Sequence, residues 1–234
     1  MNSAIWAILP AAGSGRRMGL NTPKQYLDLN GVPVIVHSLQ KLASIPAIRK
    51  IVVVLHPDDT YFSTLKLSNF EEIITTQGGS ERFQSVLNGL LHLTGIAGED
   101  DWVLVHDAVR PCVRAADIQL LIDQLAHHSV GGLLGFPVVD TLKQVNDRDE
   151  VEHTVDRSRY WQAQTPQMFR YGLLVKALRE LIVQSLEVTD EAGAIERLGL
   201  RPQMVIGHSD NIKITHAADL SMAGNILAAQ ASTS

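Results

Sequence analysis

The chain opens with an apolar run at residues 4–10 that ends in a Gly-rich loop, the pattern of a buried first strand. Apolar blocks of two kinds follow. Short, nearly continuous runs predict strands at 50–56 (KIVVVLH), 72–77, 102–106 (WVLVH), 131–137 and 202–206. Stretches with helical spacing predict helices over 34–45, 80–94, 115–128, 171–184, 189–198 and 216–229; the first stops before Pro46, and Ser80 is the expected N-cap of the second. Continuous apolar strands alternating with helices indicate a parallel sheet covered on both faces. Right-handed crossovers then predict an α/β fold, a three-layer Rossmann-like sandwich with a mostly parallel sheet, as one domain over 1–234. The tail 228–234 reads as frayed.

One stretch breaks the alternation. Residues 138–145 and 150–156 are strand-like around the polar segment 146–149, which predicts a β-hairpin. Two strands alone are marginally stable in water. The hairpin must therefore extend an edge of the same sheet or, as a protruding arm over 138–160, embrace a second subunit in a homodimer.

Composition narrows the function. A chain of 234 residues with 45% hydrophobic and 19% charged residues can bury a core without staples. Its net charge of −5 disfavours a nucleic-acid partner, so an anionic ligand needs a local basic cluster. The single cysteine, Cys112, excludes an internal disulfide and fits a cytoplasmic location. No apolar run approaches the ~18–20 residues that cross a bilayer, and no basic segment precedes the first apolar run as a signal peptide requires.

In doubly wound sheets, ligands sit beyond the carboxyl ends of the strands. That rule gathers residues 10–24, 78–82, 107–110 and the region of Pro137 on one rim. In the first segment Pro10, Ala11, Ala12, Gly13, Ser14 and Gly15 keep side chains small, so that backbone N–H groups can approach phosphate oxygens. Arg16, Arg17 and Lys24 supply the cations that a triphosphate needs. The segment is not a P-loop, because no Lys-Ser or Lys-Thr follows Gly19. Nor is it a dinucleotide fingerprint: Met18 stands where the third Gly belongs, and the second strand ends without a ribose-binding acid.

Asp107, at the end of a hydrophobic strand across from this loop, can hold Mg²⁺ against phosphate oxygens. One carboxylate suffices, because Mg²⁺ fills its other positions with water and phosphate. Gly78 and Gly79 permit backbone contact with a flat base, whose polar edge Ser80 and Ser85 could read. Lys213 can neutralise phosphate, and Thr141, Lys143 and Arg157 on the hairpin suit an acceptor phosphate. The nine histidines form no metal-ligating set; His106 reads as structural, His128 as a helix end, and Cys112 as a small buried residue.

Taken together, PAAGSGRRM at 10–18, PKQY at 23–26, GG-x-x-R-x-x-SV at 78–86, VHDAVRP at 105–111, HTVDR at 153–157, QTPQ at 164–167, TDEA at 189–192 and DNIK at 210–213 resemble the 2-C-methyl-D-erythritol 4-phosphate cytidylyltransferases of the non-mevalonate isoprenoid pathway. The likeness spans nearly the whole chain. It implies that CTP and methylerythritol 4-phosphate react, with Mg²⁺, to give the CDP-linked alcohol and pyrophosphate, in a homodimer whose arms cross the interface. It further implies that Arg17, Lys24 and Lys213 stabilise the triphosphate and transition state, and that Asp107 assists the metal. Ala12, Gly79, Ser80, Ser85 and Arg110 would surround the cytidine, and Thr141 and Arg157 would hold the acceptor phosphate from the partner subunit. A different polyol phosphate acceptor, such as ribitol 5-phosphate, or a non-catalytic nucleotide-binding regulator would share the loop and Asp107.

Overall fold

Along β1 (Ile5–Ala11), Ala7 and Leu9 enter one apolar cluster while Trp6 and Ile8 enter another, so the strand is buried on both faces. This strand is near the middle of a seven-stranded sheet in a computed structural model that describes residues 3–13, 22–67, 70 and 72–232. β4 (Ile48–Leu55) and β6 (Trp102–Val105) flank it in parallel, and β5 (Ile73–Gln77) lies parallel beyond β4. On the other side, β10 (Trp161–Arg170) runs antiparallel between β6 and β7 (Gly131–Pro137), and β11 (Gln203–Ile206) closes the edge parallel to β7. The expected mostly parallel sheet is present, with one strand the sequence pattern did not predict. β10 is polar and carries Pro166, which argues against a central strand. A register shift between Ala163 and Gln167 lifts that segment out of regular pairing with β7 and so accommodates the proline.

α1 (Val34–Ala43) and α3 (Ala115–Leu125) cover one face through Leu39, Leu42, Ile118 and Leu121. The other face is covered by α2 (Arg82–His92), α4 (Tyr171–Gln184) and α5 (Glu191–Arg197), through residues such as Val86, Leu90, Leu174 and Ile195. Each such fully buried aliphatic side chain contributes roughly 1.5–3 kcal/mol, and together they make the three layers. A short ribbon of β2 (Asp28–Leu29) and β3 (Val32–Pro33) supports α6 (Ala217–Ser232), through Leu29, Val34, Cys112 and Ala223. The expected fraying is not seen over 228–232, where the Ala-rich end remains helical to Ser232 and the Gln230 amide donates to the carbonyl of Cys112; residues 233 and 234 lie outside the described residues.

The hairpin consists of β8 (Leu142–Val145) and β9 (Val151–Val155), which among the described residues pair only with each other. It is therefore an arm and not an extension of the sheet edge. It continues the antiparallel β7–β10 ribbon, with Val138 N–H bonded to the Tyr160 carbonyl where the chain leaves and returns.

Candidate active site

Three segments meet at the carboxyl rim, as expected. The end of β1 with Ala12 and Gly13, the turn at 79–85 and residues 107–109 line a cavity of about 410 Å³, which Lys24 and Lys213 also reach. Pro10 and Ala11 belong to β1 itself, paired with Val54 and Leu55, so the loop begins at Ala12. Ser14, Gly15, Arg16 and Arg17 lie outside the described residues. Pro137 ends β7 but is not among the residues lining the cavity.

The glycines at 78 and 79 are required sterically. A Cβ on Gly78 would stand 2.6 Å from the Ala12 Cβ, and one on Gly79 would stand 2.6 Å from the Gln84 Cβ. The two serines shape this turn. Ser85 Oγ accepts from Gly79 N–H at 3.1 Å, and Ser80 Oγ donates to Gln84 Oε1 at 2.7 Å. Ser80 is not the helix cap: α2 starts at Arg82, and Glu81 and Gln84 form a reciprocal capping box. Gln25 contributes where no role was foreseen. Buried beside the loop, its amide donates to the carbonyls of Ala11 and Gly13 at 2.7 and 3.1 Å and fixes the loop's base. Lys24 opens the adjoining turn and donates to the Ile214 carbonyl at 3.2 Å, which links it to the segment bearing Lys213.

Asp107 is the electrostatic centre. Its Oδ1 takes Arg82 Nε at 3.0 Å and Nη2 at 2.9 Å; its Oδ2 takes Lys213 Nζ at 2.7 Å, with Arg110 Nε at 3.9 Å. Burial alone would raise its pKa, but Arg82 and then Lys213 outweigh that and hold the carboxyl well below the usual carboxylate range. For Arg82, burial opposes the charge; Glu191 and Asp107 prevail and keep the guanidinium firmly protonated. Glu191 grips Arg82 Nη1 and Nη2 at 2.6 and 3.1 Å. Neither Arg82 nor Glu191 was singled out by residue type, because a charge on a helix reads first as a solvated one. Arg110 donates to the Asn211 carbonyl at 2.7 Å and is not among the residues lining the cavity.

The polar residues of β10 hold these pieces in register. Thr165 Oγ1 accepts from Asp107 N–H at 3.0 Å and meets His106 Nδ1 at 3.0 Å. Gln164 donates to the His208 carbonyl, and Asn211 donates to the Thr165 carbonyl, which secures the segment ahead of Lys213. His106 is structural, as expected: fully buried, with its pKa pushed down to about 4 by burial. His128 lies past the end of α3 and accepts from the Val130 and Gly131 N–H groups. Cys112 is buried, and burial pushes its thiol up to about 12.

Thr141 and Arg157 are exposed on the arm and do not line this cavity; Arg157 donates to the Val139 carbonyl. Lys143 donates to Thr154 across the hairpin.

The model of the IspD family, 2-C-methyl-D-erythritol 4-phosphate cytidylyltransferase, matches residues 5–229. The chain belongs to this family. It is 50% identical over 227 residues to 2-C-methyl-D-erythritol 4-phosphate cytidylyltransferase of Dechloromonas aromatica, covering 96% of this chain and 98% of that one. It is 49% identical over 219 residues to the protein of that name from Hahella chejuensis, covering 94% and 91%. Among solved structures, the Francisella tularensis 2-C-methyl-D-erythritol 4-phosphate cytidylyltransferase superimposes with a TM-score of 0.82 at 38% identity, over 96% of this chain and all of that one. A 4-diphosphocytidyl-2C-methyl-D-erythritol synthase superimposes with a TM-score of 0.83 at 36% identity, over 96% and 99%. The family consists of nucleotidyltransferases, and the rim described above is where its fold brings the chain's cations together.

The donor set sets the terms for a metal. Among the described residues, no three His, Cys, Asp or Glu side chains cluster as ligands. Asp107 has one oxygen held by Arg82 and the other by the half-exposed Lys213. This fits an ion that arrives bound to phosphates and takes a single protein oxygen, not one held by the protein alone. No helix among the described residues is long and apolar enough to cross a membrane.

Proposed function

We infer that this protein joins CTP and 2-C-methyl-D-erythritol 4-phosphate to give 4-diphosphocytidyl-2-C-methyl-D-erythritol and pyrophosphate, for isoprenoid precursor synthesis, with the transfer occurring beside Asp107. The observation that carries the reading is the convergence of Lys213 and Arg82 on one carboxylate in a glycine-lined cavity that Lys24 also lines, in a chain of this family.

An oxygen of the acceptor phosphate attacks the α-phosphorus of CTP. The new P–O bond forms as the bond from the α-phosphorus to the oxygen bridging to the β-phosphorus breaks, and pyrophosphate leaves with that electron pair. A phosphomonoester has its second pKa near ~6, so the attacking oxygen is already anionic and needs no general base. The difficulty is bringing two anions together, and positioned cations overcome it. Lys24 and Lys213 neutralise the triphosphate, and Arg17 adds a third charge from the same loop. The backbone at Ala12, Gly79 and Ser80 borders the base, with Ser85 holding that turn. Asp107 would be the protein ligand of a Mg²⁺ ion, which would supply further neutralisation of the phosphates.

The arm serves a homodimer. Val139, Val151 and Tyr160 are 71%, 59% and 50% exposed on it, an apolar surface that suits burial against a second copy. Thr141 and Arg157 then hold the acceptor phosphate at the partner's cavity. A reducing cytoplasm suits the lone buried thiol of Cys112.

Pyrophosphate release tests the reading, measured with each of four nucleoside triphosphates and a panel of polyol phosphates. Release is expected only with CTP, methylerythritol 4-phosphate and a divalent ion together. Equal kcat/KM with ribitol 5-phosphate, or release without acceptor, would reject it.

A further inference from the structure

Behind Asp107 lies a group that the transfer chemistry does not use. Glu191, on the first turn of α5, is completely buried. A buried carboxylate is costly unless paired, and a buried pair can often be exchanged for apolar residues without loss of stability. Stability alone therefore does not account for Glu191. Its surroundings show where it acts. Both its oxygens hold Arg82, through Nη1 and Nη2, while Nε and the shared Nη2 of the same guanidinium reach Asp107 Oδ1. α5 is itself anchored to the sheet: Gln167 of β10 donates to Asp190 at 2.8 Å and accepts from Ala192 N–H at 2.8 Å. Direct contacts thus run from β10 through α5, Arg82 and Asp107 to Lys213 Nζ.

We propose that Glu191 is a positioning residue for the transfer reaction: it fixes Arg82 on Asp107 Oδ1, so that Oδ2 is the single oxygen facing Lys213 and the incoming triphosphate. Arg82 lines the cavity. Released from Glu191, its guanidinium could turn towards the triphosphate and leave Asp107. Asp107 would then be free to rotate about its side chain and carry Lys213 out of line. The inference rests on Asp107 and Lys213 being members of the transfer site. The wild-type assay tests that premise, and the variants below test Glu191.

Four proteins separate positioning from stability: Glu191→Gln, the double variant Arg82→Met/Glu191→Leu, Asp107→Asn, and Glu191→Gln combined with Asp107→Asn. Melting temperature, kcat and the KM for CTP are measured for each, with single-turnover amounts of enzyme where rates are low. Glu191→Gln is expected to stay folded and to lose about 10–100-fold in kcat, the usual effect of removing a partner that orients a reacting group, with KM for CTP little changed. The double variant exchanges the pair for apolar residues but also takes Arg82 from Asp107, which keeps Lys213; it is expected to stay folded with a melting temperature below the wild type, and to be at least as slow as Glu191→Gln. In the Asp107→Asn background, Glu191→Gln is expected to cost less than ~3-fold more, since both changes act through one carboxylate. Wild-type kcat in either folded variant, a full further loss in the Asp107→Asn background, or loss of the fold in both Glu191→Gln and the double variant would overturn the proposal.

Discussion

Lys24 and Lys213 reach the cavity from opposite ends of the chain, one from the first crossover and the other from the segment after the last strand. Both are tethered: Lys24 is bonded to the Ile214 carbonyl, and Lys213, though half-exposed, to a carboxylate that its neighbours keep ionised. Such pre-aimed charges lower a barrier because they need no reorganisation as the reaction proceeds. Lys24→Ala and Lys213→Ala are each expected to lower kcat at least ~10²-fold, on the scale of losing one positioned donor. Steady-state kinetics with both substrates varied checks this, and near-normal turnover in either variant removes that lysine from the mechanism.

His106 governs stability rather than chemistry. Its Nε2 faces the Arg110 carbonyl, an acceptor only, so Nε2 carries the proton and Nδ1 accepts from the Thr165 hydroxyl. The ring is thus neutral, with a pKa about 4 against an ordinary 6.5. As pH falls the unfolded chain takes up this proton first. The stability contribution is therefore complete above about 6.5 and lost as pH falls towards about 4. Asp107, with its pKa depressed, loses its contribution only below that window. Urea unfolding of the wild type should show about 2 kcal/mol less stability at about pH 5 than at about pH 7.5 from this residue. In His106→Gln that difference should shrink by about the same amount, and an unchanged pH dependence would show that His106 is not its source.

Elements were legible where one kind of side chain repeats with one period. β1, β4, β6 and β7 are apolar runs between covering helices, and their positions follow from the sequence to within two residues at either end. β10 was not legible because, ahead of the core residues Met168 and Phe169, its buried residues include Gln164, Thr165 and Gln167, which bond three separate loops. A polar, proline-bearing strand gives no periodic signal; only its partners explain it. The same limit applied to the site. Small residues followed by cations marked the loop, and an acid after an apolar strand marked Asp107. The Arg82–Glu191 pair joins residues 109 positions apart, and no local pattern encodes that. The start of α2 differed by the same kind of detail: serine is a common cap, but Gln84 three residues after Glu81 closes the capping box there.

At the scale of the whole molecule, the proposed reading makes the arm and the cavity two halves of a site, and one chain does not bring them together: Thr141 and Arg157 are absent from the described lining of the cavity that Asp107 and Lys213 share. If a partner's arm completes each cavity, two defects on different chains can complement each other. Arg157→Ala spoils the arm and leaves the cavity intact; Lys213→Ala does the reverse. In a symmetric dimer each chain gives its arm to the other. A mixed dimer therefore has one cavity with Lys213 that receives an arm with Arg157, and one cavity lacking both. After co-refolding equal amounts, half the dimers are mixed and half the sites in each of those are whole, so turnover should recover to about a quarter of the wild type. Each variant refolded alone should stay slow, with Arg157→Ala raising the KM for the acceptor more than that for CTP. Recovery should also fall away when the two variants are mixed at dilutions that separate the subunits. A mixture no faster than the mean of its two components would mean that each arm serves its own chain or none, and the proposed exchange of arms between two chains would fall.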